Sequence, residues 1–173
     1  MDNKQGLLHI YCGEGKGKTT AALGLAVRAA GRGMDVVIAR FLKTEDSGEV
    51  EMLRRLPGIF LFPCEQSFGF TFSMGEEEKK EAAIYYRELF HKAGNRKADL
   101  LILDEILAAC NAGLVDKGEL EEFLRGRPAG LEVVLTGREP WEKLLSMADY
   151  VTDMQAVKHP YRRGISARRG IEY

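Results

Sequence analysis

Six short apolar runs, rich in β-branched residues and separated by stretches of helical periodicity, limit this chain to few architectures. The runs cover residues 7–12, 36–42, 59–62, 100–103, 133–135 and, more weakly, 150–154. Each reads as a buried strand. Helices are predicted between them at 18–32, 48–55, 76–93, 116–124 and 140–147. Strands and helices in regular alternation require right-handed crossovers, so the fold class is α/β, with a mostly parallel central sheet and helices on both faces. At 173 residues the chain has room for one such core and none for a second catalytic unit, and residues 1–173 are expected to form a single domain.

Sheets of this kind bind ligands beyond the carboxyl ends of their strands, and the polar motifs gather there. After the first run comes "CGEGKGKTTAALG", residues 12–24. The common phosphate loop is G-x-x-x-x-G-K-[ST]. With Gly17, Lys18 and Thr19 as its last three positions, its first glycine would fall at Cys12, whereas the glycines stand at 13, 15 and 17. The amides of Gly13, Glu14, Gly15, Lys16 and Gly17 are expected to turn inward around an anion, with the dipole of the following helix adding partial positive charge. Lys18 and Lys16 would add full charges, and Thr19 or Thr20 a hydroxyl for Mg²⁺. A glycine-rich turn with an accidental lysine is the competing reading.

The fourth run ends in "LLILDE", which brings Asp104 and Glu105 beside the phosphates. Mg²⁺ keeps several waters and needs one or two carboxylates, so either residue or both could serve; a helix cap is the alternative for the pair. Together the two motifs indicate a nucleoside triphosphate with Mg²⁺. A kinase or hydrolase would also need an arginine for the developing charge, for which Arg138 and Arg40 are available, and a group presenting the acceptor, for which no motif stands out.

Composition narrows the setting. The 25 Lys and Arg balance 26 Asp and Glu for a net charge of -1, so nothing global calls for nucleic acid or an anionic membrane. Cys12, Cys64 and Cys110 lack metal-ligand spacing and fit a reducing compartment. With no long apolar segment and no targeting pattern, a soluble cytoplasmic protein is expected.

The segments "GEGKGKTTAALGLAVRAAGRG", "ARFLK", "FGFTF", "LLILDE", "VVLTGRE", "MADYVTDMQAVKHPYRRGI" and "RRGIEY", in this order and over essentially the whole chain, resemble the P-loop ATP:corrinoid adenosyltransferases. The resemblance implies a P-loop (RecA-like) domain that transfers the 5′-deoxyadenosyl group of ATP to the Co(I) of cobalamin or a precursor corrinoid, releasing triphosphate. Family members characteristically lack glycine where Cys12 stands, and their loop holds the triphosphate in the reverse direction, as a leaving group. The resemblance gives Lys18, Thr19 and Glu105 catalytic roles, adds Arg138 and Lys158 to the ATP-binding set, and takes Thr19, Asp104 and Glu105 as metal ligands. It makes Phe70 and Phe72 a wedge beneath the corrin, although Phe72 stands where tryptophan is common. Strand packing of Phe68, Phe70 and Phe72 on one face is the other reading of that stretch. His159 is read as structural. The family also implies a homodimer, a flavoprotein electron donor, a role in cobalamin biosynthesis, and an N-terminal capping extension. This chain has about five residues before its first strand, so capping is expected from elsewhere, such as a partner subunit.

Overall fold

The computed structural model describes residues 5–68 and 74–172. Six strands form one sheet in the order β3-β2-β4-β5-β1-β6: β1 Leu8–Cys12, β2 Val36–Arg40, β3 Ile59–Leu61, β4 Leu100–Asp104, β5 Glu132–Thr136 and β6 Tyr150–Asp153. Every pairing is parallel. The helices are α1 Lys18–Ala30, α2 Gly48–Arg55, α3 Glu76–Asn95, α4 Ile106–Asn111, α5 Lys117–Gly126 and α6 Glu142–Leu145. None of the described helices is long and apolar enough to cross a membrane.

Period two along the strands divides the core into two layers. Leu8, Ile10, Val37, Ala39, Leu101, Leu103, Val133 and Leu135 point to one face, where α3, α4, α5 and α6 cover them. Val36, Ile38, Leu100, Ile102 and Val134 point to the other, beneath α1 and α2. The central strands β2 and β4 are buried at every position, which is why they read as unbroken apolar runs. At one edge, β6 is exposed throughout and pairs only with β1.

The expected elements are all present, with shifts at their ends. Asp116 lies outside α5 as its cap, its Oδ1 accepting from the Glu119 amide at 2.9 Å. Trp141 is extended, so α6 starts only at Glu142. α4 has no counterpart among the predicted helices. It is six residues long and buried at four of them, so it carries no amphipathic period to recognise. The irregular stretch predicted at 63–75 has no helix or strand among its described residues.

β5 and α4 meet at Gly137. A Cβ there would come within 2.4 Å of Leu107 Cβ. Gly137→Ala is therefore expected to cost about 1–3 kcal/mol, as overpacking of a filled core does. Gly126→Ala, at an exposed helical position with open space around it, should be neutral or stabilise slightly. Urea unfolding of both variants checks the contrast, and equal midpoints would mean that α4 yields freely.

Candidate active site

β1 delivers the glycine loop to the start of α1 at the carboxyl edge of the sheet, beside the ends of β4 and β5. Cys12 is the last residue of β1, buried, with its Sγ 3.7 Å from the Thr152 carbonyl of β6. Burial pushes its thiol pKa up, as does the nearby Asp153. The position expected to hold a loop glycine is thus still strand.

Two loop amides do not face an anion, contrary to expectation. The Gly13 N–H donates to the Arg138 carbonyl at 3.2 Å and the Gly15 N–H to the Met154 carbonyl at 2.5 Å. The reason is contact with β6: a Cβ on Gly13 would meet Asp153 Oδ1 at 2.1 Å, and one on Gly15 would meet the Met154 carbonyl oxygen at 2.5 Å. These glycines let the loop lie flat against the neighbouring chain. The amides of Lys18, Thr19 and Thr20, in the first turn of α1, have no partner among the described residues. That is the place where the helix dipole and free donors favour an anion.

Lys18 folds back over the loop, its Nζ donating to the Gly13 carbonyl at 2.6 Å and the Gly15 carbonyl at 2.9 Å. Lys16 reaches the other way, to the Ile171 carbonyl at 3.1 Å, and so ties the C-terminal segment to the loop. Glu14 and Arg138 form an exposed ion pair at 3.1 Å, more than half accessible on both sides and so weakly held. Lys158 is exposed and outside the cavity lining, while its neighbour His159 lines it and accepts at Nδ1 from the Tyr161 amide.

Asp104 is fully buried at the end of β4. Its Oδ1 accepts from the Thr19 hydroxyl at 2.9 Å and from the Thr136 hydroxyl at 2.7 Å; the Thr136 Oγ1 in turn accepts from the Glu105 amide at 2.8 Å. Oδ2 has no hydrogen-bond partner among the described residues. Lys43 Nζ stands 3.7 Å from it and 3.5 Å from Thr19 Oγ1. Glu105 has φ 62°, ψ 20°, the left-handed region unfavourable to a side chain with a Cβ. Burial pushes its carboxyl pKa up, with Lys43 pulling the other way.

Thr19, Lys43 and Glu105 line a cavity of about 870 Å³. The loop, Lys43, Glu105 and Arg138 form its polar end; Leu23 and Val27 of α1, Met52 of α2 and Leu56 just beyond α2 form an apolar wall. Gly170, Ile171 and Glu172 close one side, with Arg168 holding the Glu172 carboxyl down at about 2. Ile171 and Glu172 thus border the site although the segment that carries them is exposed.

One candidate from the sequence takes a different role. Arg40, a candidate for phosphate charge, is 1% exposed, and its guanidinium goes to the Thr44 carbonyl and Glu45, where it braces the loop after β2. Lys43 and Thr136 went unassigned, although "FLK" and "LTGR" both follow strand ends, where ligand-facing residues gather. Phe70 and Phe72 lie outside the described residues. Phe68, just before them, packs its ring 5.7 Å from those of Tyr85 and Tyr86.

Residues 4–173 match the family described as ATP:corrinoid adenosyltransferase BtuR/CobO/CobP. The chain is 33% identical to a corrinoid adenosyltransferase of Pseudomonas aeruginosa, across 99% of this chain and 85% of that protein. It is 34% identical to the corrinoid adenosyltransferase of Escherichia coli K12, across 99% and 87%. The corrinoid adenosyltransferase CobA of Salmonella typhimurium is 32% identical, across 98% and 87%.

The left-handed backbone at Glu105 yields a stability test free of catalysis. Glu105→Ala and Glu105→Gly both remove the carboxylate, and only glycine adopts φ 62° without strain. The glycine variant is expected to be the more stable of the two by about 1 kcal/mol. Chemical denaturation at neutral pH measures the difference, and an alanine variant of equal stability would show that the backbone relaxes.

Proposed function

The chain belongs to the ATP:corrinoid adenosyltransferase family, and from that premise we propose how its own residues carry adenosyl transfer. The reaction moves the 5′-deoxyadenosyl group of ATP to the Co(I) of a corrinoid and releases triphosphate. The cobalt supplies the electron pair for the new Co–C bond, and the C5′–O bond breaks with its pair leaving on the triphosphate. No proton moves, so no general base is needed. The site accordingly needs only to hold two substrates in line and to accept growing negative charge.

The observation that carries the reading is the full-length family match; the geometry of Lys18 supports the residue roles. Its ammonium rests on two carbonyls of its own loop, where an incoming triphosphate oxygen offers a stronger, charged acceptor. The free amides of Lys18, Thr19 and Thr20 extend the same anion site, and Lys16 and Arg138 stand at its margin. Lys158 is assigned to the outer rim.

The residues at the end of β4 suit a hard divalent cation. Among the described residues no group of three or more His, Cys, Asp or Glu side chains could hold a metal by itself. Mg²⁺ does not require one, since it takes one or two protein oxygens and fills the rest with water and phosphate. The orphaned, buried Oδ2 of Asp104, with the Thr19 hydroxyl and Glu105 nearby, offers oxygens of that kind. When bound there, Mg²⁺ would neutralise charge on the departing triphosphate. Thr136 fixes the Asp104 rotamer and leaves Oδ2 as the free atom.

Phe70 and Phe72 are assigned to the lower face of the corrin, where an apolar wedge would displace the axial ligand and ease reduction to Co(I). One domain over residues 1–173, a homodimer, a flavoprotein donor and a cytoplasmic location complete the proposal. The corrinoid is cobalamin or a biosynthetic precursor.

Purified protein mixed anaerobically with Mg·ATP and chemically reduced cob(I)alamin is expected to give light-sensitive adenosylcobalamin and stoichiometric triphosphate. Lys18→Ala should lower kcat/KM by about 10²-fold or more. With cob(II)alamin and a reduced flavin donor in place of cob(I)alamin, Phe70→Ala should keep ATP binding and lose turnover. ADP as product would replace the proposal with a kinase or hydrolase, and tight binding of both ligands without turnover would indicate a sensor.

A further inference from the structure

Lys43 stands in an unusual electrostatic position. It follows Leu42, whose φ is 54°, on the loop beyond β2, and its side chain is 33% exposed. Glu45, two residues on, is already held by Arg40 and Arg54, so that acid does not draw Lys43 outward. Its Nζ faces the pair of atoms assigned above to the metal: Asp104 Oδ2 at 3.7 Å and Thr19 Oγ1 at 3.5 Å. Among the described residues, it is the only cation within 4 Å of Asp104.

A fully buried carboxylate must be neutralised or hydrogen-bonded to stay ionised. The two threonine hydroxyls satisfy Oδ1. Oδ2 receives only the charge of Lys43, because 3.7 Å is longer than a good N–H···O bond. Toward Asp104 the ammonium therefore balances charge without a directional bond, and its hydrogen bond to Thr19 Oγ1 is long, at 3.5 Å. Its long flexible stem, partly in solvent, gives it somewhere to go.

Resting on the metal reading of Asp104 and Thr19, we propose that Lys43 is a resident stand-in cation that occupies the divalent ion's seat until nucleotide arrives. Metal alone must then displace a positive charge that has no new partner. Metal arriving with a triphosphate brings the partner along, and Lys43 passes to the phosphate oxygens. The arrangement couples metal binding to nucleotide binding and leaves Asp104 compensated in both states.

The test uses Mn²⁺ as probe, titrated into nucleotide-free protein and followed by electron paramagnetic resonance, with no corrinoid present. Lys43→Met is expected to bind Mn²⁺ at least tenfold more tightly than the unaltered protein. Its melting temperature should fall in EDTA and recover with Mn²⁺, which the loss of a merely structural contact would not produce. Lys43→Gln removes the charge while keeping a donor, and should behave alike if the methionine variant does not fold. Adding Asp104→Asn should abolish the gain. Equal or weaker Mn²⁺ affinity without Lys43, or a gain that survives Asp104→Asn, would overturn the proposal. Absence of Mn²⁺ binding to the unaltered protein even with ATP would overturn the metal reading and the stand-in with it. Failure of adenosyl transfer alone would count against the reaction and leave the metal titration standing.

Discussion

The carboxylate of Asp104, sealed from solvent at the end of the central strand, sets the conditions for everything around it. An ionised group in that place costs several kcal/mol unless its surroundings answer it. The answer comes from three other parts of the chain: Thr19 at the start of α1, Thr136 at the end of β5, and Lys43 beyond β2. One side chain thus links the start of α1, the end of β5 and the charged loop beyond β2. The apolar sheet supplies the rigidity, and this carboxylate turns its carboxyl edge into a site.

The glycine loop shows how the same residue type serves packing and binding at once. Gly13 and Gly15 lack a Cβ because β6 and the chain after it leave no room for one. Having turned these two amides toward protein carbonyls, the loop keeps its donors for an anion in the first turn of α1. Cys12, with its side chain directed toward the Thr152 carbonyl, extends the strand where a more usual loop would already have begun.

Much of the fold was legible because β2 and β4 are apolar at nearly every position and the helices carry a clear period. α4 was not, since a short segment covered by β5 and its neighbours shows no polar face. At the site, residues joined by local spacing were readable: the loop, Thr19, and the adjacent Asp104 and Glu105. Those joined only through space were not. Arg40 and Lys43 sit three positions apart and have opposite fates, one walled in by Glu45 and the Thr44 carbonyl, the other turned toward Asp104. Nothing in the string "ARFLK" separates them, because the difference lies in where β2 ends. Thr136 escaped notice for a similar reason: its role depends on β5 lying beside β4.

The edge strand β6 has a consequence for how the molecule comes into being. It is last in the sheet by sequence, yet it lies against the first strand, and its end supports the loop through Met154 and Asp153. During folding the other five strands can assemble while this support is still unmade, because long-range parallel pairings close late. The glycine loop gains this support only once β6 has paired with β1. A chain that has folded the rest of its sheet thus still lacks one wall of the glycine loop.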